Sequence, residues 1–392
     1  MLQKATLLKS GLLIFTFLIT SVSTISAQNL YYPPAGIGDN WEQKSASELG
    51  FQSSELDDAV QFAINNENSV ENDLRIAILK GFSHEPYHQL AGPVRERGNP
   101  AGMVIKDGYI ASSWGDLKRV DMTFSVTKSY LSAVAGLAWD DGLIHSPDDR
   151  LTEYVWDRTF DGEHNSKITW EHLLNQSSDW YGTLFGMEDW SDRPPREGGI
   201  DDWRYRELHE PGTHYKYNDV RVNLLAYSLL KVWRNPLPQV LKQRIMDPIG
   251  ASSTWRWYGY DNSFEMIDGV EMQSVSGGGH NGGGLFISTY DHARFGLLFA
   301  RNGVWKDQQL ISREWIEKSV APSPANSQYG YLWWLQDDEN NFEDVPDHVY
   351  YAAGFGGNFI VVDDQNDIVI VLRWIDSSKL GDFVEMVYQA LE

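Results

Sequence analysis

The sequence predicts an α+β fold in which an antiparallel sheet, built from both ends of the chain, is flanked by helices and interrupted by a mainly helical insertion. Three observations lead to this fold class. Strand patterns lie near both ends of the chain, helical patterns fill the middle, and a few strands at one end alone would be only marginally stable. We therefore expect one domain, with an α/β part at about residues 40–115 and 285–392 and a helical part at about residues 116–284.

Hydrophobic spacing and turn residues predict the individual elements. Before the middle section we expect a helix capped by Ser53 or Ser54 and running through Asn65, a strand from Leu74 to Leu79, and a hairpin of Met103–Ile105 and Tyr109–Ser112 around Lys106-Asp107-Gly108. The middle section has helical patterns at about residues 125–139, 170–176, 217–233 and 237–246. The last hundred residues predict strands at Tyr331–Leu335, Val349–Ala352, Asn358–Val362 and Ile368–Trp374, and a closing helix at Phe383–Leu391.

The first 27 residues have the features of a secretory signal peptide. Lys4 and Lys9 precede an apolar run from Gly11 to Val22, and small and polar residues follow it up to Ala27. The run is shorter than the roughly 20 apolar residues of a membrane span. We therefore expect cleavage after Ala27, a mature chain of residues 28–392 with no stable membrane span, and a periplasmic or secreted protein.

Composition excludes several function classes. The 32 Lys and Arg residues against 55 Asp and Glu residues give a formal net charge of −23, which argues against a nucleic-acid partner because phosphate binding needs a basic face. The chain has no cysteine, so disulfides, thiolate metal sites and a cysteine nucleophile are excluded. His209 and His214 are spaced too loosely for a metal site, and we predict no metal.

The best candidate for catalysis is a serine followed three residues later by a lysine. Ser125 lies near the start of an apolar helix, and Lys128 is expected on the same face one turn later. A buried lysine amine can lose its charge and act as the base that activates a serine hydroxyl. Ser228 and Lys231 have the same spacing, but Ser228 lies within an apolar helical run and is interpreted as packing.

The surroundings of Ser125 distinguish the two pairs. Five motifs follow one another along the chain: Ser125-Val126-Thr127-Lys128, Ile168–Ser178, Pro211-Gly212-Thr213 with Tyr217-Asn218-Asp219, Gly282–Gly296, and Ala352-Ala353-Gly354-Phe355. In these motifs and in their order, the chain resembles serine hydrolases related to class C β-lactamases and DD-peptidases. The resemblance implies a β-lactamase/transpeptidase-like fold.

The resemblance also implies a role for individual residues. Ser125 would attack an acyl carbonyl, Lys128 would share its proton, and Tyr217 would relay a proton to the leaving group and later activate water. Backbone N–H groups of Ser125 and Phe355 would form the oxyanion hole, and Ala353, Gly354 and Phe355 would contact the substrate. No organic cofactor is implied.

Two positions depart from the family pattern. Asp219 stands where asparagine is usual, and it could either pair with Lys128 or bind a polar group of the substrate. Ala352 stands where β-lactamases and peptidases usually have Lys or His, which argues against efficient recognition of a β-lactam or a D-Ala-D-Ala terminus. The A-x-G version of this motif resembles esterases and aminohexanoate-oligomer amidases of the same family, so the expected substrate is a small ester or amide.

The substrate pocket is predicted only in outline. Trp180 and Tyr181 follow the second motif and are candidates for lining the cleft, and the glycine-rich tract from Ser276 to Gly284 is expected to border the site. Three alternatives stay open: a peptidoglycan DD-peptidase or weak β-lactamase, an inactive binding protein of the same fold, and a secreted carbohydrate-active enzyme. The sequence does not give the oligomeric state.

Overall fold

The computed structural model describes residues 30–337 and 342–391. The predicted signal peptide, residues 1–27, lies outside the described residues. The α-helices are α1 Ser53–Asn65, α2 Leu74–Gly81, α3 Thr127–Asp140, α4 Trp170–Leu174, α5 Ile200–Arg204, α6 Asp219–Trp233, α7 Leu237–Leu241, α8 Thr289–Ala300, α9 Arg313–Ser319 and α10 Leu380–Gln389. The strands are β1 Ala101–Lys106, β2 Tyr109–Trp114, β3 Asp121–Met122, β4 Thr183–Leu184, β5 Met187–Glu188, β6 Arg256–Ile267, β7 Val270–Val275, β8 Gly284–Ile287, β9 Val304–Trp305, β10 Gln308–Gln309, β11 Trp334–Leu335, β12 Tyr350–Gly354, β13 Asn358–Asp363 and β14 Ile368–Arg373.

The main sheet joins the two ends of the chain, as predicted. Its six strands are antiparallel and run in the order β11-β12-β13-β14-β1-β2. The early strand β1 pairs with the late strand β14, and Ala101 lies opposite Arg373. Neither end can therefore complete the sheet without the other, which confirms the α+β fold class.

Helices cover both faces of this sheet. On one face, α1 and α10 pack in a core that includes Leu56, Phe383 and Val387. On the other face, α8 lies so close that a Cβ at Gly296 would come within 2.6 Å of Val369 Cγ1. The strands between these layers are therefore buried on both faces, which explains why β13 and β14 are continuous apolar runs.

The middle of the chain is richer in strand than its helical pattern suggested. It contains α3 to α7, and α7 continues into one π-helical turn at Lys242–Met246. A second antiparallel sheet, in the order β3-β8-β6-β7, also lies largely in this section. Its main component is the hairpin of β6 and β7, which hydrophobic alternation does not predict. In β6 the buried positions include Gly259 and Ser263, whereas Phe264 and Met266 are exposed, so hydrophobicity does not follow burial.

Two predictions near the amino end are wrong. Leu74–Leu79 begins a helix rather than forming a strand, because Asp73 caps it by accepting a hydrogen bond from the Arg75 N–H at 3.0 Å. Leu74, Ala77 and Ile78 are then buried on one helical face. Ser53 is not a cap but the first residue of α1, whose N-cap is Gln52. Among the described residues, no helix is long and apolar enough to cross a membrane.

Candidate active site

Ser125 lies on a short 3₁₀ turn, Phe124–Val126, directly before α3. The residue before it, Phe124, has a φ of 49°, a left-handed conformation that is uncommon for a residue with a bulky side chain. Phe124 is buried edge-on against Phe355 and Trp374, at ring distances of 5.1 and 6.5 Å. This packing stabilises the strained turn and leaves Ser125 partly exposed in a cavity.

Lys128 joins Ser125 to Asp219. Its Nζ lies 2.7 Å from Ser125 Oγ and 2.7 Å from Asp219 Oδ1, and both Lys128 and Asp219 are buried. The Ser–Lys distance follows from their spacing on a helix, while Asp219 comes from the first turn of α6. Of the two expectations for Asp219, the structure shows the pairing with Lys128.

The Tyr217–Asp219 segment is held by the second predicted motif. Gln176 Oε1 accepts a hydrogen bond of 2.6 Å from the Asn218 N–H, and the Lys216 N–H donates to the Gln176 carbonyl at 3.0 Å. Asn218 caps α6 by accepting from the Arg221 N–H. The Tyr217 ring consequently faces Lys128, whose Nζ lies 4.6 Å from the ring centroid.

Two glycines are needed for close approach to these residues. A Cβ at Gly278 would lie 1.8 Å from Asp219 Oδ1 and 2.2 Å from Lys128 Nζ, so the glycine-rich tract borders the site as predicted. A Cβ at Gly354 would lie 2.2 Å from the Thr123 carbonyl oxygen and 3.2 Å from the Ser125 nitrogen. Gly354 therefore allows the end of β12 to pack against the backbone that carries Ser125.

A cavity of about 470 Å³ opens above Ser125 and Tyr217. Its wall is mainly aromatic and aliphatic, and it includes three of the predicted substrate-binding residues, Ala353, Gly354 and Phe355. The other lining residues are Phe82, Arg193, Trp334, Tyr351, Phe359, Ser377 and Leu380. The sequence contains no signal for these seven residues, because all of them lie outside the recognised motifs and three, Trp334, Tyr351 and Phe359, fall in predicted strands.

The cavity does not contain Trp180 or Tyr181, so the prediction that they line the cleft is not met. Both side chains line a different cavity of about 420 Å³ with Phe185 and Tyr227. Trp180 is buried and donates from its indole nitrogen to the Thr159 carbonyl at 3.0 Å. The preceding Asp179 has a φ of 41° and is held by buried Arg221, which directs the chain away from Ser125.

Asp219 remains ionised although it is buried. Burial by itself would raise the pKa of this carboxyl, but the nearby Lys128 and Arg193 hold the pKa well below its usual range. Arg193 Nη1 donates to Asp219 Oδ2 at 2.8 Å, on the side opposite Lys128. Asp219 thus accepts hydrogen bonds from two different cationic side chains.

A second group of acids and one histidine lies behind this pair. The donor atoms of Glu85, Asp192 and His280 all lie within 4.8 Å of one another, which is close enough to hold a metal ion. They are already engaged, because Glu85 Oε2 lies 2.5 Å from His280 Nε2 and Asp192 accepts from the Arg193 guanidinium and the Asp219 N–H. We therefore interpret the group as part of a hydrogen-bond network.

Comparisons with known proteins identify the family and the fold. The family model Beta-lactamase matches residues 118–385. A curated Escherichia coli (strain K12) protein, provisionally named a D-alanyl-D-alanine carboxypeptidase, is 21% identical over 346 residues, covering 69% of this chain and 76% of the relative.

Solved structures show the same fold. A family VIII carboxylesterase has a TM-score of 0.55 at 16% identity, with 86% of this chain and 97% of that chain covered. A Bacillus anthracis protein, provisionally named a 6-aminohexanoate-dimer hydrolase, has a TM-score of 0.51 at 14% identity, with 92% and 88% covered. The family match spans more than half of the sequence, and the chain therefore belongs to the beta-lactamase family of serine hydrolases.

Proposed function

We propose that the protein hydrolyses a small ester or amide through an acyl-enzyme at Ser125. The observation that carries this proposal is the buried contact of Lys128 Nζ with both Ser125 Oγ and Asp219 Oδ1, at 2.7 Å each. A lysine in that position can accept the serine proton over a single hydrogen bond, which is the geometry that nucleophilic catalysis requires.

The reaction would proceed in two acyl-transfer steps. Neutral Lys128 accepts the proton of the Ser125 hydroxyl while Oγ forms a bond to the substrate carbonyl carbon. The resulting oxyanion would be stabilised by the backbone N–H groups of Ser125 and Phe355. Tyr217 passes a proton to the leaving alcohol or amine as its bond to carbon breaks. In the second step, a water molecule attacks the acyl carbon and gives one proton to the Tyr217 oxygen, while Lys128 returns its proton to Ser125 Oγ as the bond between Oγ and the acyl carbon breaks.

The cavity favours substrates with an uncharged, apolar acyl or leaving group. Most of its wall consists of aromatic rings and Leu380, which exclude water from a ligand. Arg193 is the cation in the wall, but Asp192 and Asp219 both accept hydrogen bonds from it. It therefore carries little uncompensated charge for a carboxylate, which supports an esterase or amidase over a β-lactamase or DD-peptidase.

The proposal can be tested by intact-mass labelling with a fluorophosphonate. We expect one adduct on the wild type and none on Ser125→Ala. Ser228→Ala is the matched control, because Ser228 has the same spacing to a lysine but its hydroxyl is buried and donates to the Leu224 carbonyl at 2.8 Å. This control should be labelled like the wild type.

The other outcomes discriminate the alternatives. Absence of an adduct on folded wild type would refute the acyl-enzyme and favour a binding protein. Labelling with turnover of p-nitrophenyl esters but not of nitrocefin supports the esterase, whereas a stable penicillin adduct supports the peptidase. Glycosidase activity that persists in Ser125→Ala would instead indicate a carbohydrate-active enzyme.

We also propose that the protein is exported after cleavage behind Ala27. The proposal rests on the basic, apolar and small-residue segments at residues 1–27. Expression in a Gram-negative host followed by cell fractionation and amino-terminal sequencing should give a periplasmic or secreted chain that begins at Gln28. An intact amino terminus in the cytoplasmic fraction would contradict export.

A further inference from the structure

Arg193 lines the cavity and also contacts two residues of the site, Asp219 and Tyr217. Its Nη1 donates to Asp219 Oδ2 at 2.8 Å and to Asp192 Oδ1, and its Cζ lies 4.9 Å from the centroid of the Tyr217 ring. The Tyr217 ring is therefore approached by two cations, Lys128 and Arg193. The Arg193 side chain is 32% exposed, and its guanidinium also lines the Ser125 cavity.

Glu85 and His280 hold Arg193 in this place. Glu85 Oε1 accepts from the Arg193 main-chain N–H at 3.3 Å, and Glu85 Oε2 lies 2.5 Å from His280 Nε2. His280 Nδ1 lies 3.2 Å from Arg193 Nη2. A guanidinium can only donate, so His280 Nδ1 must accept and its proton must be on Nε2, where Glu85 accepts it. One carboxylate thereby positions both the backbone and the side chain of Arg193.

The backbone at this position is also restricted. Arg193 has a φ of 47°, in the left-handed region, and Pro194 and Pro195 follow it. Such a conformation is maintained only where surrounding contacts fix it. The network of Glu85, His280 and Asp192 provides those contacts, so the direction of the guanidinium toward Asp219 is determined by the fold.

The contact between Arg193 and Asp219 provides a counter-ion for Asp219 when Lys128 is neutral. Lys128 must be neutral before it can accept the proton of Ser125. With Lys128 as its only partner, Asp219 would then be a buried carboxylate without a counter-ion, and the pair would instead stay locked in its charged form. Because arginine stays protonated, it keeps Asp219 paired in both protonation states of Lys128.

We propose that Arg193 is a positioning residue for acyl transfer, which stays bonded to Asp219 while Lys128 exchanges its proton. This inference rests on the proposed acyl-enzyme at Ser125. It goes beyond that function because it assigns a role to a residue outside every motif that identified the site.

The test compares fluorophosphonate labelling rates across a pH series for wild type, Arg193→Gln, Arg193→Lys and Arg196→Gln. For Arg193→Gln we expect labelling at pH 7 to slow on the order of 10²-fold. We expect the pH of half-maximal rate to rise, because removing a cation from beside Asp219 makes the loss of a proton from the site less favourable. Arg193→Lys keeps the charge and should recover part of both effects. Arg196→Gln removes an exposed arginine of the same loop and should behave like the wild type.

The outcomes separate this role from structural damage and from failure of the proposed function. A merely structural Arg193 would lower the amount of active protein and the melting temperature but leave the half-maximal pH unchanged, and that result would overturn the inference. So would equal loss in Arg193→Gln and Arg193→Lys. Absence of labelling in the wild type would overturn the acyl-enzyme together with the inference, whereas labelled wild type with an unaffected Arg193→Gln overturns the inference alone.

Discussion

Replacing Gly278 with alanine should disturb the Lys128–Asp219 pair without changing any charge or polar atom. The added Cβ would lie 1.8 Å from Asp219 Oδ1 and 2.2 Å from Lys128 Nζ, and contacts below 3.0 Å essentially never occur. The two side chains must therefore each move by about 1 Å. The φ of Gly278 is outside the left-handed region, so the backbone itself accepts alanine.

The size of the effect follows from this displacement. Overpacking of a buried site costs about 1–3 kcal/mol. With an unfolding entropy of about 2.1 cal/mol/K per residue, a chain of this length should lose only about 1–4 °C in melting temperature. A shift of about 1 Å in a catalytic group typically reduces the rate on the order of 10²-fold, so activity should fall far more than stability.

The assay is the rate of fluorophosphonate labelling at a temperature where both proteins are folded, together with thermal unfolding. Gly381→Ala is the matched control, because Gly381 lies in α10 and its Cβ would meet Phe342 at 3.4 Å and Glu385 Oε1 at 3.9 Å, which are ordinary contacts. That variant should label like the wild type and be slightly more stable. Labelling of Gly278→Ala within about twofold of the wild type would refute the inference that this ion pair sets the rate.

Two further predictions concern the cavity and a buried lysine. Tyr181→Ala should leave the KM for p-nitrophenyl esters unchanged, because Tyr181 lines another cavity. Trp334→Ala should raise this KM about tenfold, because Trp334 lines the cavity above Ser125. Equal effects of the two substitutions would contradict the assignment of the substrate to that cavity. Burial and nearby Arg221 lower the pKa of Lys216 to about 8, so between about pH 8 and 10.5 the unfolded chain holds a proton that the folded chain lacks. The contribution of Lys216 to stability should therefore rise with pH across this range. Lys216→Met should remove this rise and increase the free energy of unfolding at pH 7 by about 1 kcal/mol, as measured by urea unfolding. Identical pH profiles of the wild type and the variant would refute Lys216 as the cause of the rise.

The catalytic pair was predictable because its geometry is local. A separation of three residues on successive helical turns places Ser125 and Lys128 on the same face, within reach of one another. The same spacing at Ser228 and Lys231 has a different outcome, since Ser228 bonds to the helix backbone and Lys231 pairs with Asp157 and Glu265. Spacing alone therefore did not identify the site, and the order of the surrounding motifs was needed.

The errors arose where hydrogen bonds of polar side chains, and not hydrophobic spacing, determine the structure. The run from Leu74 to Leu79 is apolar enough for a strand, but it forms a helix because Asp73 caps the amino end of that helix. Trp180 lies five residues after Asn175 in the second motif, but the chain turns at Asp179 because Arg206 and Arg221 bind its carboxylate. Both outcomes depend on hydrogen bonds of polar side chains, which hydrophobic periodicity does not register.

Arg193 shows most clearly why the remaining part of the site could not be predicted. Its partners Asp219, His280 and Glu85 are 26, 87 and 108 residues away in sequence, and no spacing rule connects them. In the sequence, Asp219 and Ala352 are two separate departures from the family pattern, one adding an acid and the other removing a cation. In the structure, Arg193 brings a cation to Asp219 and Tyr217 from a third segment, which neither the spacing around Asp219 nor the recognised motifs indicate.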